Sequence, residues 1–134
     1  MKTRLLLIIL FFFSLVKNIY ADEIKSLSEL KISDPENYSQ NLMERCSVIY
    51  AALAILENNN DYENKYKVFL QSSIIAKNKL FPEIDEETLY KNSIEDFKIS
   101  LSFFLQILKQ NYLKNKSYLS EEWLVDDFNT CLKL

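Results

Sequence analysis

Cys46-Ser47-Val48-Ile49-Tyr50-Ala51-Ala52-Leu53-Ala54-Ile55-Leu56 carries no charge, several small side chains and one of the chain's two cysteines. Its length and composition suit a helix at the middle of a packed bundle. Tyr38, Leu42, Cys46, Ile49, Leu53 and Leu56 recur at spacings of four and three, which is the helical period. Val48, Tyr50, Ala52 and Ile55 fill the other faces. A helix apolar on most of its circumference is central or has a second partner.

Glycine is absent from the 134 residues. Tight hairpins and many βα loops need it, so the expectation is an all-α fold. Asp34-Pro35-Glu36 supplies the start signals of the helix that contains the central stretch, over 35–57. A second helix is expected over 61–80. Asn60 and Glu63 form its capping box, its inner line is Tyr62, Tyr66, Phe69, Ser73 and Ala76, and Pro82 stops it. Val68, Leu70, Ile74 and Ile75 widen that line. The third helix, 85–113, opens on Asp85-Glu86-Glu87 and runs through Tyr90, Ile94, Phe97, Leu101, Phe104, Leu108 and Tyr112. Its Ile99–Leu108 segment is again apolar nearly all round, with Phe103 and Ile107 on a second face. Ser120 caps a last helix, 121–132, with Leu124, Phe128 and Cys131 inward. Residues 22–33 make a short helical turn or an extended arm. The expected whole is a small antiparallel four-helix bundle.

Residues 1–21 read as a signal peptide. Lys2 and Arg4 form the basic start, Leu5–Val16 is an uncharged apolar run, and Ala21 is a small residue at the cleavage point. The run is too short to cross a bilayer, which needs roughly 20 apolar residues. The alternative is an uncleaved N-terminal anchor. Cleavage removes Lys2, Arg4 and Lys17 and no acid, so the net charge of −3 becomes −6. That argues against nucleic acid and against an anionic membrane surface as partners, and for a basic partner if there is one. Residues 22–134 suffice for one domain with one core. The expected location is the periplasm or the exterior.

Two cysteines in an exported chain most simply form one disulfide, here Cys46–Cys131 between the first and last helices. Both lie on inward lines derived without reference to the pairing.

The missing residue types exclude much chemistry. With no His there is no Ser-His or Cys-His nucleophile pair and no imidazole metal site. With no Gly there is no phosphate-binding loop and no dinucleotide fingerprint. No cofactor, metal or catalytic residue is expected. An enzyme would have to rest on carboxylates such as Asp85, Glu86 and Glu87, Glu121 and Glu122, or Asp126 and Asp127. Those groups read more simply as helix-dipole complement and solvated surface. Most tyrosines fall on the helical stripes and read as packing. Asn37-Tyr38-Ser39 and Asn115-Lys116-Ser117 match the N-glycosylation pattern.

At the level of architecture the plan resembles two kinds of small periplasmic protein. One is the disulfide-stapled helical acid-stress chaperones. The other is the helical immunity proteins that neutralise cell-wall-cutting toxins. The likeness covers the mature chain and assigns no residue. Export, acidity, surplus apolar helix surface and the missing catalytic sets point to a non-enzymatic protein-binding or inhibitory module, with a stress chaperone as the alternative. The surplus apolar surface points to the same place: another protein or a second copy, meeting Phe103, Ile107, Val48 and Ile55.

Overall fold

A computed structural model describes residues 24–134. The expected signal peptide lies outside them. The described residues are helical, with no strand, in five elements: α1 (Leu27–Ser33), α2 (Tyr38–Glu57), α3 (Asn60–Leu80), α4 (Glu86–Asn115) and α5 (Glu122–Leu132). The four long helices match the sequence expectation to within three residues at each end. The fifth is α1, where the sequence left a turn or an arm open. A complete capping box starts it: Ser26 Oγ accepts from the Glu29 N–H, and the Ser26 N–H donates to Glu29 Oε2 at 2.7 Å.

Several helix ends differ in detail from the expectation. The Asp34-Pro35-Glu36 signal does not open α2 directly. It makes the bend between α1 and α2, and α2 starts at Tyr38 with Asn37 as a cap that makes no side-chain bond. Asn59, not Asn60, caps α3, its Oδ1 accepting from the N–H groups of Asp61 and Tyr62. Its neighbour Asn58 ends α2 in the left-handed region, φ 50°. Asn is among the few residues that tolerate it when no glycine is at hand. Asp85, read from the sequence as the first residue of its helix, caps α4 instead, accepting from the Thr88 N–H at 2.9 Å. Glu121, not Ser120, occupies the cap position of α5, and its side chain makes no cap bond.

α2 is the hub, touching each of the other four helices. The run from Cys46 to Leu53 is buried without interruption. Ser47, Ala51 and Ala52 explain how: small side chains let neighbouring helices close in on several sides at once. The core gathers Leu42, Cys46, Ile49, Tyr50 and Leu53 of α2 with Leu27, Phe104, Leu108, Leu124 and Cys131 from the helices around it.

α4 is less well covered than its sequence suggests. Its buried line is Leu89, Ser93, Phe104, Leu108 and Asn111, while Tyr90 and Tyr112 are exposed. The N-terminal part of the stripe is therefore turned by one residue from the expected one. On α3, Val68 and Ile75 are exposed and do not widen the core stripe. α4 and α5 follow each other in sequence but make no close backbone approach. They meet through side chains, Phe104 and Trp123 lying edge to face with ring centroids 6.0 Å apart.

Candidate functional site

Cys46 and Cys131 are joined, with their Cα atoms 5.5 Å apart. The bridge ties mid-α2 to the end of α5 across 85 residues. It is compatible with an oxidising, exported location.

One turn before Cys131 on α5 lies Asp127, completely buried. Its Oδ1 accepts the Leu27 N–H at 2.6 Å, and its Oδ2 accepts from Arg45 Nη1 at 2.6 Å. Arg45 Nη2 donates to the Lys25 carbonyl at 3.2 Å. The guanidinium lies over the rings of Phe104 and Trp123, 5.7 and 5.8 Å from their centroids. Alongside, Ser28 Oγ donates to Asp126 at 2.6 Å. One carboxylate thus holds the start of α1, the middle of α2 and the body of α5 together, beside the disulfide. Burial pushes the Asp127 carboxyl above its ordinary value of 3.8, against the Leu27 N–H and the Arg45 charge, which pull it down.

Asp127 corrects the sequence reading, which placed it on the solvated surface. A signal was available: Leu124, Asp127 and Cys131 follow the i, i+3, i+7 stripe of a buried helix face. Its partners lie 82 and 100 residues away, and no local pattern identifies them. Both oxygens are engaged within the protein, so this cluster clamps the fold and offers no free acid or base. Among the described residues, no group of three or more acidic or Cys side chains is arranged to hold a metal ion. No described helix is long and apolar enough to cross a membrane.

A second polar seam separates α2, α3 and α4. Ser47, Ser73 and Ser93 are buried around a cavity of about 40 Å³. Lys77 bridges Glu44 at 2.7 Å and Asp96 at 3.8 Å on its lining.

The structure separates the four residues expected to meet a partner. Val48 is 4% exposed and lines the serine cavity, so its surface is spent inside the protein. Ile107 is half-buried against the core. Phe103 is 40% exposed, edge-on to Phe104 at 6.0 Å. Ile55 is 59% exposed. It borders an open groove of about 280 Å³, lined by Ala51, Ala54, Tyr66, Phe97 and Leu101, with Asn58 and Glu63 also contributing. Ile55 and Phe103 do not share that groove.

Two further depressions flank α5. One, of about 730 Å³, has Trp123 and Val125 among Glu29, Glu122 and Asp126. The other, of about 300 Å³, runs beside the disulfide between α3 and the end of α5. It is lined by Tyr50, Asn64, Lys65, Val68, Phe69, Cys131, Leu132 and Leu134. No known family, curated protein or solved structure matches the chain.

Proposed function

We propose that the chain is an exported, non-enzymatic protein-binding module of inhibitory, immunity-like character, matured by removal of residues 1–21. Its bundle presents the Ile55 groove to a basic partner. The observation that carries this reading is the exposure of Ile55 beside an apolar groove on the hub helix. Ala51 and Ala54 leave room for an inserted side chain, and Tyr66, Phe97 and Leu101 supply apolar walls. Buried aromatic and aliphatic anchors of this kind dominate the energetics of protein interfaces. Glu63 at the groove and the overall net negative charge favour a cationic rim on the partner.

The test is retention of a partner from an envelope or culture-medium extract of the source cell. Immobilised wild-type protein retains a basic protein, and Ile55→Asp protein of unchanged fold loses it. Retention by neither, or equally by both, would overturn the reading.

A further inference from the structure

α4 carries an apolar surface that no described helix covers. Ile99, Phe103, Gln106, Gln110 and Leu113 follow one another at spacings of four and three, which places them in one stripe along the helix. All five are exposed, Ile99 at 70% and Leu113 at 72%. The stripe lies away from the Ile55 groove, which Phe97 and Leu101 border from another side of α4.

Charge is divided along the same helix. Residues 86–98 hold four carboxylates and two lysines, whereas 109–116 hold three lysines and no acid. Two copies of α4 laid parallel would set like charge on like. Laid antiparallel, the negative half of each faces the positive half of the other. The spacing fits a two-fold axis. Glu95 and Lys109 stand two helical turns to either side of Ser102, on one edge of the stripe. Neither is committed elsewhere. Lys109 has no ion pair among the described residues, and Glu95 meets only the exposed Lys98, at 3.2 Å. An exposed pair of that kind contributes little and is readily exchanged.

We infer that this stripe is the interface of a weak homodimer, in which two α4 helices cross antiparallel at Ser102. Glu95 of each copy pairs with Lys109 of the other, and Ile99 of each packs beside Phe103 of the other. Leu113 lies on the aliphatic stem of Lys91 of the other copy. Every contact occurs twice, as a two-fold interface requires. The apolar stripe is about 21 Å long, less than a standard interface covers. Dilute protein, as in a urea melt, is therefore monomeric, and concentrated protein pairs. The Ile55 groove stays open in the dimer, so the inference does not depend on the docking role of that groove.

Analytical ultracentrifugation of the disulfide-bonded chain tests it, at protein concentrations from about 10 μM to about 1 mM. The mean mass is expected to rise from one chain towards two, and less steeply in high salt. Ile99→Asp is expected to stay monomeric throughout. Glu95→Lys and Lys109→Glu each set like charges together at two places and are expected to weaken pairing at least about tenfold. An equimolar mixture of these two variants sets opposite charges together again and is expected to pair as the wild type does, as is the chain carrying both changes. All three positions are exposed, so circular dichroism and Tm of the dilute variants should match the wild type. A wild-type chain that stays monomeric at about 1 mM would overturn the inference and leave the stripe to a different partner. Growth beyond two chains, wild-type pairing by Ile99→Asp, or no gain on mixing the two charge variants would each overturn it as well.

Discussion

Cys46–Leu56 of α2 and Ile99–Leu108 of α4 look alike in the sequence, each apolar on nearly every side. The fold treats them differently. The first is buried without a break from Cys46 to Leu53. In the second, Phe104 and Leu108 are buried, but Phe103 is 40% and Ile99 70% exposed. The difference lies in side-chain size and in the number of neighbours. α2 offers Ser47, Ala51 and Ala52 and is approached closely by the backbones of four helices; α4 is approached in that way by two, α2 and α3. Polarity alone therefore does not identify a central helix. Small apolar residues on several faces do, because only they admit several close neighbours.

The largest expected effect concerns the staple on the hub. Closing an 85-residue loop removes roughly 4–5 kcal/mol of denatured-state entropy on the chain-entropy argument. Reduction, or Cys46→Ser with Cys131→Ser, is expected to lower Tm sharply in thermal melts. The loss should come from α2 and α5 parting. An unchanged Tm would show that packing around α2 suffices without the bridge.

Next comes the clamp beside it. Arg45→Met leaves the Asp127 carboxylate buried without its cation, expected to cost about 3 kcal/mol at neutral pH. The sign of the pH dependence follows from the raised carboxyl. Folded Asp127 holds its proton more tightly than the unfolded chain does. The stability from that proton is full below the ordinary value of 3.8 and is lost as pH rises through the folded value. Removing Arg45 lifts the folded value further, so the penalty of the variant should shrink as pH falls from 7 to 4. Urea melts of both proteins at several pH values check this; a penalty independent of pH would contradict the burial argument.

Helix positions and the disulfide were legible in the sequence because both rest on local periodicity. Leu42, Cys46, Ile49 and Leu53 kept their spacing, and Cys131 lay on its own inward line. The capping box of α1 is also written in the sequence, as Ser26-x-x-Glu29. Asp127 could be placed on a buried stripe but not paired, since Arg45 and the Leu27 N–H reach it only through the tertiary fold. Which face of α4 would stay exposed was not legible at all. It depends on how many helices arrive there, and no repeat in α4 encodes that.

Overpacking sharpens the contrast between the two helices. Ala52→Leu adds volume where α2 is closed on every side and should cost about 1–3 kcal/mol. Ser102→Leu adds comparable volume on the exposed side of α4 and should stay within about 0.5 kcal/mol. Urea midpoints of the pair measure the difference. Equal losses would mean that α4 is covered as fully as α2.

The smallest stability effect tests the comparison at its own boundary. Ile55 belongs to the central helix, yet lies past the end of the buried run and is 59% exposed. By sequence it resembles Leu53; by environment it resembles Ile99. Leu53→Ala should cost about 2–5 kcal/mol, whereas Ile55→Asp should shift stability by no more than about 0.5 kcal/mol. If Ile55→Asp melts like the wild type and loses its partner, the exposed end of the hub is an interface. If it destabilises the fold as Leu53→Ala does, the groove closes over Ile55 in solution, and the surface left for a partner is Ile99 and Phe103 on α4.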